Sequence, residues 1–148
     1  MTGADFQAVK ALYDEPGTLD YMKSFFETDD DDRAFFDSYV ANMYRFYDFG
    51  MYVIEDKVTG CVTGHVGLGI TEDAEGEPLV TLGYVTGSKY RRKSQAYWAC
   101  RSVLFYAQNE LQLERVDIQV HPENVPSIRL ARKLERDFPG FVRLTLAN

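Results

Sequence analysis

A cluster of positive charge lies where a strand-like run gives way to a helix-like run. Arg91, Arg92 and Lys93 are followed by Ser94-Gln95-Ala96, and a long helical pattern begins there. A loop that opens a helix presents free backbone N–H groups at the positive end of the helix dipole, an arrangement that binds phosphate. We therefore expect the backbone from Arg92 through Ala96 to bind a pyrophosphate, with the three basic side chains adding positive charge.

A second strand-like run ends at His121-Pro122, and Asn124-Val125-Pro126-Ser127-Ile128 opens the next helical pattern. The small domain therefore has two strand-to-helix loops, and one of them is suited to a pyrophosphate. Together these loops predict a cofactor that carries a nucleotide.

At these motifs the chain resembles the GNAT acyltransferases, which move an acyl group from coenzyme A to an amine. The family's pyrophosphate loop reads Gln/Arg-x-x-Gly-x-Gly/Ala, and Arg91 to Ala96 matches its first and last positions, with Ser94 at the central Gly. Asn124 to Arg129 is similar to the Asn-x-x-Ser-Ile-Arg element of the branch that includes the ribosomal-protein N-terminal acetyltransferases. Leu82-Gly83-Tyr84 is similar to that branch's Leu-Gly-Tyr strand. The resemblance covers residues 50 to 141.

The resemblance implies an N-acetyltransferase that transfers an acetyl group from acetyl-CoA, its co-substrate, by direct attack of a primary amine. The acceptor is a small molecule or the N-terminus of a peptide or protein. The alternative is a GNAT-like module that binds acyl-CoA as a sensor or regulatory subunit without turnover.

The resemblance also assigns residues to the cofactor arm. Backbone groups near Tyr84 and Val85 are expected to pair with the pantetheine amides, and Asn124 and Ser127 to approach the arm and the sulfur. Ser127 is then the candidate that donates a hydrogen bond or a proton to the leaving thiolate. The other interpretation of Ser127 is a helix-start hydroxyl that satisfies backbone N–H groups.

The general base is left open by the sequence. The related branch often has Glu just before its Leu-Gly-Tyr, and this chain has Thr81 there. His65, on a predicted strand, and Glu72, at the end of that strand, are the remaining candidates. A base relayed through water, or an acceptor that arrives neutral, needs no such residue. Ser94 also has two interpretations, because its side chain either crowds the phosphates, if φ is positive there, or adds a hydroxyl donor.

The periodicity of the chain predicts the elements that position these residues. A helical spacing covers residues 5–13, a short helix is predicted from Thr18 through Phe26, and an aromatic-rich helix follows the acidic run Asp29–Asp32. That run is either a solvated helix start or an acidic lip that attracts a cationic acceptor. Strands and helices then alternate to residue 146, which predicts a mixed α/β sheet flanked by helices.

We expect one GNAT-like domain over residues 1–148. Residues 1–48 form a helical, acceptor-side segment, and residues 49–148 form the sheet and the cofactor-binding core. Compared with the family, we expect the usual first strand and the last strand of the terminal hairpin to be missing. Bare edge strands invite pairing, which favours a homodimer.

The bulk composition narrows the classes of partner. A net charge of −7 argues against nucleic acid and is compatible with a cationic acceptor. No run is long and apolar enough for a membrane span, and the N-terminus lacks a signal-peptide pattern, so a cytoplasmic location is expected. Cys61 and Cys100 have no metal-type spacing, and no metal is expected; both are predicted to be reduced and mostly buried.

Overall fold

Five strands form one sheet in the computed structural model of the protein, which describes residues 1–26, 31–91 and 94–147. They are β1 (Met51–Glu55), β2 (Val62–Glu72), β3 (Pro78–Thr86), β4 (Val116–Val120) and β5 (Val142–Leu146), and they lie side by side in chain order. The first three strands pair antiparallel, while β4 is parallel to β3 and β5 is parallel to β4. The predicted mixed sheet is confirmed.

Four helices flank this sheet in the described part of the chain. They are α1 (Phe6–Asp14), α2 (Asp32–Tyr47), α3 (Gln95–Asn109) and α4 (Val125–Asp137). The start of α2 explains part of the acidic run, because the Asp31 carboxylate accepts hydrogen bonds from the backbone N–H groups of Arg33 and Ala34. Asp29 and Asp30 lie outside the described residues.

The two faces of the sheet bury separate cores. Helices α3 and α4 pack on one face, where Leu68, Leu82, Cys100, Ile118 and Leu134 are buried together. Helices α1 and α2 belong to the other core, which contains Val9, Tyr13, Phe26, Phe36 and Val85. Residues that follow one another along a strand therefore belong to different cores.

Gly67 in β2 is required by a close backbone approach. A Cβ atom at this position would lie 2.2 Å from the carbonyl oxygen of Gly50 and 2.5 Å from the Cα of Met51. No side chain fits in that space. The chain can therefore enter β1 directly against β2 only because residue 67 has no side chain.

The helix predicted from Thr18 through Phe26 is wrong. The structure has a single 3₁₀ turn, Thr18–Asp20, and an irregular segment follows it. The Ser24 hydroxyl accepts a hydrogen bond from the Phe26 backbone N–H, which offers the backbone an alternative to the helix. The irregular path brings the Phe25 and Phe26 rings against Tyr13.

The two cysteines differ from each other in exposure. Cys100 is fully buried in α3, as predicted. The prediction is wrong for Cys61, which is exposed because it lies in the turn before β2 rather than in the strand. That turn is held by the Asp56 carboxylate, which accepts from the N–H groups of Val58 and Thr59.

The outer edge of β5 is partly covered by its own helix. The Leu144 N–H points away from β4 and donates to the Glu135 carboxylate of α4 at 2.9 Å. Across the described ranges, no helix is long and apolar enough to cross a membrane.

Candidate functional site

Strands β3 and β4 part soon after they meet. In the described residues, Thr81 and Asp117 form their one register pair. Beyond Thr81, β3 continues through Thr86 with its ladder to β2 intact, while β4 continues alongside β5. The two parallel strands therefore leave a cleft between them, next to the start of α4.

The ladder to β2 determines which backbone groups face the cleft. The Gly87 N–H donates to the Thr63 carbonyl oxygen at 2.8 Å, so alternate residues of β3, including Val85, direct their polar groups towards β2. The N–H and C=O of Tyr84 then point towards β4, where the ladder has ended. Of the two predicted pantetheine-binding positions, Tyr84 has its backbone groups on the cleft side and Val85 has them in the ladder.

The start of α3 presents unused donors. Ser94 has a φ of 61°, in the left-handed region, and α3 begins at the next residue, Gln95. The Trp98 N–H donates to the Ser94 carbonyl oxygen at 3.1 Å, so the N–H groups of residues 95–97 have no partner within the helix. The buried Oε1 atom of Gln95 has no hydrogen-bond partner among the described residues. Ala96, the last residue of the predicted loop, is half-buried in this first turn.

Of the predicted basic side chains, the structure describes only Arg91. Its guanidinium Nε donates to the Thr86 carbonyl oxygen at 3.4 Å, which ties the loop back to the end of β3. Arg92 and Lys93 lie outside the described residues.

The start of α4 brings Ser127 to Tyr84. Pro126 lies in the first turn of α4, where the missing N–H costs no helical hydrogen bond. The half-buried Asn124 donates its N–H to the His121 carbonyl oxygen, and its own carbonyl accepts from the Ile128 N–H. The Tyr84 hydroxyl lies 2.7 Å from Ser127 Oγ and 3.2 Å from the Ser127 carbonyl oxygen, so this contact joins β3 to α4.

His65 lies on the opposite face of the sheet from that contact. It pairs with Val85 in the β2–β3 ladder, and its ring is fully buried against Tyr13 and Phe25. Its Nδ1 atom is 2.9 Å from the Tyr13 hydroxyl, while its Nε2 atom has no hydrogen-bond partner in the described part of the chain. Burial, with a smaller effect from the charged amino terminus, lowers the pKa of His65 to about 3. The imidazole is therefore neutral at physiological pH.

Glu72 is exposed and far from Ser127. It pairs with Pro78 at the end of the β2–β3 hairpin, whereas Tyr84 pairs with Val66. At ~3.4 Å per residue, Glu72 lies roughly 20 Å further along β2 than Val66. The structure thus brings together Tyr84 and Ser127, and it brings neither His65 nor Glu72 to them.

A buried carboxylate in β4 is a polar residue that sequence reasoning missed. Asp117 is 1% exposed, and its Oδ1 atom accepts from the Thr145 hydroxyl at 2.9 Å and from Arg143 Nε at 3.4 Å. The available signal was a charged residue in the middle of a short β-branched strand. Among the described residues, no cluster of three or more His, Cys, Asp or Glu side chains could hold a metal ion.

Comparison with known proteins identifies the family. The family model for the acetyltransferase (GNAT) domain matches residues 1–135 of the chain. The chain belongs to the GNAT acetyltransferase family. The family predicted from the loop and helix motifs is confirmed.

Individual proteins are also similar to this chain. The uncharacterized N-acetyltransferase YnaD of Bacillus subtilis (strain 168) is 25% identical over 139 residues, which cover 94% of this chain and 77% of YnaD. The uncharacterized protein YkkB of the same organism is 28% identical over 97 residues, which cover 66% of this chain and 56% of YkkB. The structure of the acetyltransferase yncA of Salmonella typhimurium, with its cofactor acetyl-CoA, matches with a TM-score of 0.69 at 18% identity, over 90% of this chain and 75% of yncA. At that identity, the likeness to yncA supports the GNAT fold alone.

Proposed function

We propose that the protein is an acetyl-CoA-dependent N-acetyltransferase. It transfers an acetyl group to the primary amine of a small molecule or of a peptide or protein N-terminus. Membership of the GNAT family supports acyl transfer, and the donor is carried over as a proposal from yncA, which shares the fold and has acetyl-CoA as its cofactor.

The observation that carries the proposal is the parting of β3 and β4, taken together with the unused N–H groups at the start of α3. Coenzyme A needs a pairing partner for the amides of its pantetheine arm and donors for its pyrophosphate. The Tyr84 backbone groups point into the cleft and supply the first. The free N–H groups of the first turn of α3, preceded by Ser94, supply the second.

The chemistry is a direct transfer. The amine nitrogen attacks the thioester carbonyl carbon, so a C–N bond forms, the C–S bond breaks and the electron pair leaves on sulfur. The proton that the amine loses balances the proton that the thiolate gains. Asn124 is assigned to the pantetheine arm, and Ser127 to donation of a hydrogen bond to the thiolate sulfur.

No side chain is assigned as general base. His65 is enclosed on the other face of the sheet, and Glu72 is exposed at the end of the hairpin. An amine that reaches the thioester neutral, or that loses its proton to water, needs neither residue. The acidic character of the chain, with a net charge of −7, suits the approach of a cationic amine.

A second candidate function is acyl-CoA binding without turnover. It is favoured by the distance of both candidate bases from the contact between Ser127 Oγ and the Tyr84 hydroxyl. Thiol release from acetyl-CoA separates the two functions, because a sensor or regulatory subunit would bind the thioester and leave it intact.

Binding and turnover of acetyl-CoA test the proposal together. At a hundredfold excess over its dissociation constant, acetyl-CoA is expected to raise the free energy of unfolding by about 2.7 kcal/mol. Thiol release is then followed against a panel of primary amines and basic peptides. Stabilisation with amine-dependent release supports the enzyme, and stabilisation without release for any acceptor supports the binding module. No change in the melting temperature at millimolar acetyl-CoA would overturn both.

Ser127→Ala tests the assigned donor. If the hydroxyl bonds to the thiolate, the interaction strengthens only as charge develops on sulfur, so kcat should fall ten- to a thousandfold, on the order of one lost oxyanion-type donor. The dissociation constant of acetyl-CoA should be nearly unchanged. A helix-start hydroxyl would instead leave kcat near wild type and cost roughly 1 kcal/mol of stability.

A further inference from the structure

The Tyr84 side chain reaches Ser127 from a different element. Its hydroxyl extends from β3 to the first turn of α4 and contacts two atoms of one residue, Ser127 Oγ at 2.7 Å and the Ser127 carbonyl oxygen at 3.2 Å. The ring itself packs against the core beneath α3 and α4. A phenol that needed only packing would have no reason to end on the hydroxyl of the proposed donor.

The two contacts compete for one proton. A phenol carries a single O–H, so Tyr84 donates either to the carbonyl oxygen or to Ser127 Oγ. The 2.7 Å contact lies at the usual O–H···O distance, and the 3.2 Å contact is longer than that range. When Tyr84 donates to Oγ, the oxygen of Ser127 is an acceptor in this bond and its own proton is left to bond elsewhere.

We propose that Tyr84 is a positioning residue for Ser127: its hydroxyl donates to Ser127 Oγ and so directs the Ser127 proton towards the sulfur of the thioester. The proposal rests on the proposed function, because it needs Ser127 to act on the leaving thiolate. In this role the Tyr84 side chain acts only through Ser127, the residue that its hydroxyl contacts.

The buried environment of Tyr84 keeps its phenol protonated, which it must be in order to donate to Ser127. Burial raises the pKa of the Tyr84 phenol well above its ordinary value, and the hydrogen bond with Ser127 opposes this only in part. The phenol therefore stays protonated and remains a donor throughout the neutral and mildly alkaline range. Because the donor comes from β3 and its target from α4, the contact also holds the start of α4 at a fixed position relative to the cleft.

A double-mutant cycle tests whether Tyr84 acts through Ser127. The variants are Tyr84→Phe, Ser127→Ala and the double variant, each measured for kcat, KM and acetyl-CoA affinity. Tyr84→Phe is expected to lower kcat about tenfold, at the weak end for loss of one positioned group, with KM and acetyl-CoA affinity within twofold of wild type. In the Ser127→Ala background, the same change should lower kcat less than twofold further, because the residue it positions is gone.

Two controls separate the hydrogen bond from packing. Tyr106→Phe removes a similar bond, from the Tyr106 hydroxyl to the Asp48 carbonyl oxygen at 3.0 Å, and should leave kcat unchanged. 3-Fluorotyrosine at position 84 keeps the ring and the hydroxyl, and it should retain kcat within twofold even if Tyr84→Phe folds poorly. A loss of kcat equal to that of Tyr84→Phe would attribute the effect to packing and overturn the proposal.

The outcomes also distinguish this proposal from the proposed function. If the wild-type protein turns over and the losses of the two single variants simply multiply in the double variant, the positioning role is overturned and the enzyme stands. If the wild-type protein binds acetyl-CoA but releases no thiol with any acceptor, the transferase and the positioning role fall together.

Discussion

His65 owes its properties to burial. It lies in β2 with its ring enclosed by Tyr13 and Phe25, and only one of its two nitrogens has a partner in the described chain. Because desolvation penalises the imidazolium, His65 stays neutral in the folded protein near neutral pH and takes up no second proton. The unfolded chain does bind one below a pKa of about 6.5.

The lowered pKa of His65 predicts acid lability. Its contribution to stability is complete above the unfolded pKa and is lost as the pH falls towards the folded pKa of about 3. Between pH 7 and pH 5, this one group should lower the free energy of unfolding by about 2 kcal/mol. His65→Gln removes the titrating group and keeps a hydrogen-bonding side chain opposite the Tyr13 hydroxyl. Urea unfolding at both pH values should show a loss about 2 kcal/mol smaller in the variant, and equal losses would mean that His65 is charged in the native state.

The sequence indicates site residues that belong to a short local motif. It does not indicate residues whose role depends on contacts with distant parts of the chain. The conformation of Ser94 was left open by the sequence, and its match to a glycine position in a loop motif was the local signal for the left-handed φ that the structure has there. The contact of Tyr84 with Ser127 spans 43 positions of the chain, and no local pattern announces it. The burial of His65 depends on Phe25, which lies in an irregular segment that sequence periodicity assigns to a helix. Its role as a base therefore could not be judged from its strand alone.

At the scale of elements, the junction of β3, its loop and α3 is the part that meets the proposed cofactor. The αL conformation of Ser94 turns the chain so that α3 starts at the next residue, with its first N–H groups unused. A left-handed conformation costs a non-glycine residue roughly 1–2 kcal/mol, and the chain accepts this cost at the predicted phosphate loop.

Ser94 variants test the position of the pyrophosphate. Ser94→Gly adopts the same φ without strain and should retain or tighten acetyl-CoA binding. Ser94→Glu places a negative charge beside the phosphates and should weaken binding more than tenfold, measured by titration calorimetry. Ser102→Glu puts the same charge on an exposed part of α3 and serves as the control. Equal affinity in the two Glu variants would move the pyrophosphate away from this loop.

The entry into β1 depends on one glycine. Gly67→Ala would force a Cβ atom to 2.2 Å from the Gly50 carbonyl oxygen, so β1 and β2 would have to separate locally. We expect a loss of about 3 kcal/mol or more in the free energy of unfolding, at the upper end of overpacking changes. Gly83→Ala, in β3, meets no atom within 4 Å and should change stability by less than about 1 kcal/mol. Thermal and urea unfolding compare the two, and similar losses would show that backbone approach is not the cause.

Element types were predictable where the hydrophobic period was long and regular. The strands and the helices α3 and α4 lie within a few residues of their predicted positions, because alternation and the 3.6-residue stripe are local signals. The segment after Gly17 was not predictable, since its path is set by packing of Phe25 and Phe26 on α1. The parting of β3 and β4 after Thr81 could not be predicted from periodicity, because no local signal reports it.

At the scale of the whole molecule, the sheet has two edges, β1 and β5. The homodimer favoured by bare edges stays a prediction. At β5 the Glu135 carboxylate already accepts the outward Leu144 N–H, which is a common way for native proteins to discourage strand pairing. Any pairing of two copies along β5 would have to displace this bond. The net charge of −7 also opposes the close approach of two copies.

The different exposure of the two thiols makes the local opening of the protein measurable by its reaction with a thiol reagent. Cys61 is exposed and should react at once with an aromatic disulfide reagent, while Cys100 is fully buried, and burial raises the pKa of its thiol. One equivalent per chain should therefore appear immediately, and the second only as fast as α3 separates from the sheet. Cys61→Ser should leave the slow phase alone, and acetyl-CoA should slow it further. Two rapid equivalents would show that the core beneath α3 is open in the native protein. Any assay that detects free coenzyme A by its thiol therefore has a background of one reactive protein thiol per chain, that of Cys61.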